Sequence, residues 1–447
     1  MQRPASLLYG VDDVPPPLAL LMLAWQHIFL MCSTLVMPIV LVTEIGGGAG
    51  QVQGVLAATM VAAGLGTVLQ SIRFWGIGSG FLCPNLAGPN FFAACMNAAW
   101  LGGLPLMRGM IIAAGLTELV LARILPRLSF LFPPAITGLV VFMVAVGLMP
   151  VGISRFFRVN FDGEAINGAN VAVASLTLLL MIGVNVWGSV RLKLYALLIG
   201  LVAGYALSVW SGLIDAGSYH QLADAPWIGL PSYDGMFAID FAWELLPAFV
   251  IVSLSGAVKS IGNLVMCERI NDEAWTRPDL RRVGDGLTAD AISVTAAGLL
   301  GGMATDTSAS NVGLSNASGA TSRWIGVAAG VLFALLGFSP KVAAFLSVMP
   351  QPVAGAVVLF VVCFMFMSGI QMMMSSKPDM AMTFVIGLSL AFGLSVDVLP
   401  SIFSDVPSWA RPILGSSLTV ATLLAIGLHQ LFRLGRPPPA EGAAPLH

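Results

Sequence analysis

Long apolar runs, closed by charges or turn residues, recur from one end of this 447-residue chain to the other. In the first half they cover residues 18–42, 51–72, about 78–99, 108–125, 133–151, 171–187 and 194–210. In the second half they cover 245–267, 289–303, about 306–321, 324–338, 353–374, 380–399 and 413–432. About 20 apolar residues cross a bilayer as a helix. The pattern therefore predicts an all-α polytopic membrane protein of fourteen transmembrane segments, seven in each half.

Two of these segments are broken. The third reads Gly78-Ser79-Gly80-Phe81-Leu82-Cys83-Pro84-Asn85-Leu86-Ala87-Gly88-Pro89-Asn90-Phe91. Glycine and proline at that density prevent a continuous helix. The tenth carries the polar run Thr305-Asp306-Thr307-Ser308-Ala309-Ser310-Asn311-Val312-Gly313-Leu314-Ser315-Asn316. Non-helical backbone at membrane depth persists only where it is buried in protein or lines a cavity. The two breaks are thus where a transporter would hold its cargo.

Composition agrees with the pattern: 57% of residues are hydrophobic and 9% charged, where an ordinary soluble domain carries about 25% charged residues. The formal net charge of −2 gives no reason to expect nucleic acid as a partner. The five cysteines (Cys32, Cys83, Cys95, Cys267 and Cys363) lack metal-binding spacing and read as buried free thiols, so no metal is expected. The start of the chain lacks a signal-peptide shape, since Pro15-Pro16-Pro17 precedes the first apolar run and no small-residue cleavage site follows closely.

Charge distribution orients the segments. With the amino terminus inside, fourteen of the 20 Lys and Arg residues fall on the cytoplasmic side, five (Arg108, Arg155, Arg158, Lys341 and Arg411) fall outside, and Lys259 lies within the membrane. By the positive-inside rule both termini are cytoplasmic. The segment 211–243, with Asp215, Asp224, Asp234 and Asp240 but no Lys or Arg, fits the opposite side.

The halves also echo each other. Ala113-Ala114-Gly115 returns as Ala328-Ala329-Gly330, and Pro126-Arg127 as Pro340-Lys341. Pro133, Gly138 and Val140-Val141 return as Pro350, Gly355 and Val357-Val358. Seven segments, an odd number, separate the copies, so the repeats are inverted. The expected organisation is a first repeat over 1–210, an extracytoplasmic loop over 211–243, a second repeat over 244–432 and a cytoplasmic tail over 433–447. Inverted repeats with matching broken segments are the architecture of secondary transporters.

Asn311-Val312-Gly313, followed by Ser318-Gly319 and Ser322-Arg323, resembles the signature of the nucleobase–ascorbate transporters, the family of bacterial uracil and xanthine permeases. Tyr9-Gly10-Val11-Asp12, Gln26-His27, Phe132-Pro133-Pro134-Ala135-Ile136-Thr137-Gly138, Pro150-Val151-Gly152-Ile153 and Met349-Pro350-Gln351-Pro352-Val353-Ala354-Gly355 extend the resemblance over nearly the whole chain, in order. It implies fourteen spans in two inverted repeats forming a core and a gate domain. In segments 3 and 10 it implies a short strand followed by a half-helix. It also implies nucleobase transport with protons or sodium, and frequent homodimerisation. The chain departs from the family's pattern at several positions. Ser310 stands in place of the Gln or Glu before Asn-x-Gly, Lys259 in place of a base-binding Glu, and Asn263 in place of an acidic residue or His. Ser318 stands in place of Thr, and Pro89 where an aromatic often stacks.

The candidate substrate-binding residues are Lys259, Ser310, Asn311, Gly313, Asn90, Gly88 and His27, with Asp306 and Glu118 as candidate ion-coupling sites. Each has a plainer alternative. Lys259 is either a cation in the substrate cavity or half of a structural pair with Asp306 or Asp290, and intramembrane charges default to function. Glu118 reads as a helix–helix contact or a coupling site. The asparagines, with Asn85 among them, either bind cargo or satisfy broken backbone, and His27 either packs or lines the cavity. A half-helix start with free N–H groups suits an anionic or oxo-rich edge. The expected function is a secondary active transporter of nucleobases, xanthine- or urate-like among them, in the inner membrane. The resemblance implies an elevator-like movement, with a coupling proton or sodium ion and no other cofactor expected. The alternative is a carboxylate or inorganic anion carried on the same fold. No arrangement of catalytic spacing points to an enzyme.

Overall fold

The computed structural model describes residues 2–5, 7–124, 133–158, 167–193, 196–214, 222–374, 379–399, 401, 414–415 and 417–433. The Pro126-Arg127 echo, Asp215, Arg411 and all of the tail after Arg433 lie outside the described residues. The helices of the first half are α1 (Pro17–Ser33), α2 (Val36–Glu44), α3 (Ala49–Ser71), α4 (Phe92–Ile124), α5 (Pro134–Phe157), α6 (Gly168–Trp187), α7 (Val190–Lys193) and α8 (Ala196–Trp210). Those of the second half are α9 (Leu246–Asn271), α10 (Leu280–Leu300), α11 (Ala309–Ser318), α12 (Arg323–Gly337), α13 (Pro340–Ser347), α14 (Gln351–Met373), α15 (Met380–Val398) and α16 (Ser417–Arg433). Among the described residues, eight helical stretches are long and apolar enough to cross a membrane, or nine if α12 and α13, bent by 82°, count as one.

Burial separates central from peripheral helices. The apolar window of α3 is 78% buried, whereas those of α6 and α15 are 28% and 22% buried. The outer helices keep apolar side chains such as Leu176, Leu179, Phe384 and Phe392 exposed. In a bilayer that exposure is the stable arrangement, because lipid is as apolar as leucine. Cys363, expected to be buried, is exposed on α14.

Two features set the helix paths. Inside α4, Gly102 and Gly103 leave helical geometry, and Gly103 takes φ 69°, which favours glycine. The chain therefore turns partway along this 33-residue element. The α5–α14 seam closes on the echoed glycines: a Cβ on Gly138 would lie 2.5 Å from Met373 N, and one on Gly355 would lie 2.3 Å from Phe156 N.

Arg108, expected among the outward-facing loop charges, is instead buried at 2% exposure. Its guanidinium donates to the carbonyls of Gly298 (3.0 Å) and Leu299 (2.9 Å) at the end of α10, and to that of Ala238 (2.7 Å) in the loop before α9. It thereby reaches Leu299 O, a carbonyl that a helix end leaves open, and adds a second donor to Gly298 O, which also accepts from Gly301 N at 3.3 Å. Arg108→Met is expected to lower the melting temperature of the detergent-purified protein by several degrees, since an unpaired buried polar group costs about 1–3 kcal/mol. Melting with the wild type would show that these carbonyls find other donors.

The segment before α1 is pinned to the far half of the chain. Tyr9 N donates to Gly319 O (3.1 Å), Thr321 N to Tyr9 O (2.8 Å) and Arg323 N to Val11 O (2.9 Å). Ser322 Oγ donates to Asp13 O (2.5 Å), and Arg323 forms an ion pair with Asp12. Gln2 N donates to Asp272 Oδ1 (2.7 Å) in the α9–α10 connection. Tyr9-Gly10-Val11-Asp12 thus acts as a strap across the end of α11.

Candidate functional site

The site grows from a two-stranded ribbon. β1 (Asn85–Ala87) and β2 (Thr305–Thr307) pair antiparallel, with Asn85 opposite Thr307, Leu86 opposite Asp306 and Ala87 opposite Thr305. Each strand leads into a helix. After β1, Gly88 and a 3-10 turn over Pro89–Phe91 lead into α4. After β2, Ser308 caps α11, its Oγ accepting from Asn311 N at 3.2 Å. Two helix starts therefore stand beside one ribbon, each with N–H groups that lack an intrahelical partner and the positive end of a helix dipole.

Gly88 makes the ribbon close enough to work. A Cβ there would lie 2.9 Å from Asp306 Cβ and 3.1 Å from Thr305 C. Beside it, Asp306 Oδ2 accepts from Asn90 Nδ2 at 2.7 Å and from Lys259 Nζ, which reaches over from α9, at 2.5 Å. The Asp306 side chain is 1% exposed and that of Lys259 14%. Of the two carboxylates proposed from sequence as partners of Lys259, it is Asp306 that pairs with it. The other N–H donors of the ammonium have no protein acceptor among the described residues.

Asp290, on α10, belongs to a second network. Its Oδ1 accepts from Asn85 Nδ2 (2.7 Å) and its Oδ2 from Ser260 Oγ (2.6 Å). Ser260 Oγ lies 2.7 Å from Thr307 Oγ1, which accepts from Asn263 Nδ2 at 3.0 Å. If Ser260 donates to Asp290, Thr307 donates to Ser260, and the chain runs in one direction from Asn263 to the carboxylate. Sequence reasoning missed Ser260 and Thr307 as members. The available signal was the i, i+3 spacing of Ser260 and Asn263, which shares a helix face.

Asn311 is fully buried and turned into the protein. Its Nδ2 donates to Ser308 Oγ at 2.9 Å, and its Oδ1 lies 2.7 Å from His27 Nδ1. With the amide nitrogen so assigned, Oδ1 accepts and Nδ1 of His27 carries the hydrogen. This pair holds α1 to the start of α11. Ser310 and Gly313, by contrast, are exposed, and a Cβ on Gly313 would meet nothing within 4 Å. Glu118, on α4, is buried at 3% exposure. Its Oε1 lies 3.2 Å from where a Cβ on Gly256 would sit, and its Oε2 has no hydrogen-bond partner among the described residues. Gly256 is one helical turn before Lys259 on α9, so Glu118 and Asp306 approach the lysine's segment of that helix from different elements.

The arrangement can present donors to a cargo. The two helix starts, the Ser310 hydroxyl and the remaining N–H groups of Lys259 suit carbonyl oxygens or a delocalised negative charge.

Known proteins resemble this chain in sequence and in fold. A model of the Permease family, Xan_ur_permease, matches residues 18–402. The chain is 30% identical over 428 residues to the uric acid permease PucJ of Bacillus subtilis (strain 168), covering 92% of each protein. It is 25% identical over 443 residues to the xanthine permease XanP of Escherichia coli (strain K12), covering 96% of this chain and 95% of that one. Among solved structures, the transmembrane domain of a cyanobacterium bicarbonate transporter, BicA, superposes with a TM-score of 0.56 at 11% identity, covering 94% of this chain and 99% of that one. That likeness concerns the fold alone.

Proposed function

The chain belongs to the Permease family, and from that premise we propose that it is a secondary active transporter of nucleobases, purines of the xanthine and urate kind first among them. As a multi-pass membrane protein of that family it acts on a small molecule and is not an enzyme. The names of its relatives support the substrate class. The observation that carries the reading is the Lys259–Asp306–Asn90 cluster at a ribbon from which two helices start. Its free donors complement the carbonyl-rich edge of xanthine or the anion of urate. Because Asp306 balances the charge of Lys259, the preference rests on hydrogen-bond donors and helix starts more than on net charge.

The same proposal includes fourteen spans as two inverted repeats, 1–210 and 244–432, joined by 211–243, with core and gate domains each built from both. The close approach at the echoed Gly138 and Gly355 supports it. It also includes inner-membrane residence with both termini and the 433–447 tail cytoplasmic, a homodimer, and elevator-like movement of core against gate. Asp306 and Glu118, both buried carboxylates, are the proposed seats of a coupling proton or sodium ion.

Counterflow with labelled xanthine, urate, uracil and ascorbate tests this directly, beside melting of the purified protein with the same compounds at two pH values. We expect xanthine or urate to exchange and to raise the melting temperature. A ligand at one hundred times its Kd stabilises by about 2.7 kcal/mol. Stabilisation by bicarbonate or a carboxylate, with no response to any nucleobase, would replace the reading with carriage of a small anion.

A further inference from the structure

We infer that the Lys259 ammonium is a resident cation, tethered where an ion-coupled carrier would bind a metal ion, so that transport by this chain does not require sodium. The inference rests on the transporter reading above and narrows its coupling to the proton or to no ion at all. Cation sites in such carriers lie at discontinuous segments near the cargo. Here that place is the ribbon beside the start of α11, and its carboxylate, Asp306, is 1% exposed. Asp306 Oδ2 already accepts from the ammonium at 2.5 Å and from Asn90 Nδ2 at 2.7 Å. Asp306 Oδ1 has no hydrogen-bond partner among the described residues, so what keeps a sodium ion from this carboxylate is the positive charge of the ammonium already paired with it.

The lysine also resembles a bound ion in its reach. It comes from α9, while Asp306 lies on β2 and Asn90 in the turn before α4, so the ammonium joins α9 to the ribbon. Its other N–H donors have no protein acceptor among the described residues. They remain available to a cargo oxygen, so one positive centre can bridge protein and cargo. Unlike an exchangeable ion, it stays with the protein in every state of the cycle.

Two measurements on the full chain test this. The first is melting of detergent-purified protein in sodium, methylammonium or N-methylglucamine chloride, which needs no cargo. Wild type is expected to melt at one temperature in all three salts. Lys259→Ala is expected to melt several degrees higher in sodium or methylammonium than in N-methylglucamine, because the small cations fill the place of the missing ammonium. The second is counterflow of labelled xanthine in vesicles. Wild type is expected to exchange equally with and without sodium. Lys259→Ala is expected to lose about tenfold or more in N-methylglucamine, and to recover with sodium or methylammonium. Lys259→Ala/Asp306→Asn, which removes both charges, is expected to melt at one temperature in all three salts, because no unpaired carboxylate is left for a small cation to fill.

Wild-type protein that melts higher, or exchanges only, in sodium would overturn the inference. So would a folded Lys259→Ala protein, monodisperse on gel filtration, that neither small cation stabilises. Loss of nucleobase counterflow in the wild type would count against the substrate reading instead, leaving the melting comparison to decide the resident cation.

Discussion

Asp306→Asn is expected to reduce uptake by about a hundredfold. The substitution keeps size and shape while removing the charge of the carboxylate that pairs directly with the Lys259 ammonium. Removing one partner of a buried pair costs about 3–5 kcal/mol, and every ~1.4 kcal/mol is a factor of ten. The asparagine can still accept from Asn90 and Lys259, so the ribbon itself should persist and the protein should reach the membrane. Initial uptake rates normalised to the amount of protein in the membrane measure the effect. Near wild-type uptake would mean that the pair is only structural and that cargo binds elsewhere.

Gly88→Val is expected to be nearly as severe for a different reason. A Cβ at position 88 would lie 2.9 Å from Asp306 Cβ, 3.1 Å from Thr305 C and 3.2 Å from Ala304 O. Two of these three neighbours are backbone, which cannot rotate aside, so β1 and β2 must separate. Gly88 N also donates to Ala304 O at 2.8 Å, a bond that the same displacement would stretch. Overpacking of this kind costs about 1–3 kcal/mol. The larger consequence is that Asp306 moves away from Lys259 and Asn90 together. Uptake should fall to background while much of the protein stays folded, and Gly88→Ala should lie between the two. Parallel melting and uptake measurements separate the effects; a Gly88→Val protein transporting at the wild-type rate would show that the ribbon yields without displacing the carboxylate.

Much of the architecture is legible because a membrane makes composition carry position. Charges and turn residues interrupt apolar runs where helices end, and Pro17 opens α1 as a residue suited to a first helical turn. Lys259 and Asp306 stand out in sequence because a charge in an apolar segment demands a partner. The choice between Asp306 and Asp290 was not legible, since it depends on where the ribbon sets each carboxylate relative to α9. Asn311 shows the limit more sharply. Its residue type and its place at a helix start suit cargo binding, but its amide faces His27 and Ser308, and Ser310 is the exposed neighbour. Side-chain direction at a helix start follows from the cap, which the one-dimensional pattern does not specify. Arg108 repeats the lesson: read as a loop charge, it instead closes the end of α10.

The strap formed by Tyr9-Gly10-Val11-Asp12 makes the amino terminus a handle on the site. Its bonds run to Gly319, Thr321 and Arg323, the residues that close α11 and open α12. If α11 shifts during the cycle, the first dozen residues must travel with it. Leu8, beside Tyr9 and 64% exposed, sits on that strap. A probe attached there would therefore report any shift of α11 from outside the candidate site, and a bulky fusion at the same end would load α11 in such a shift.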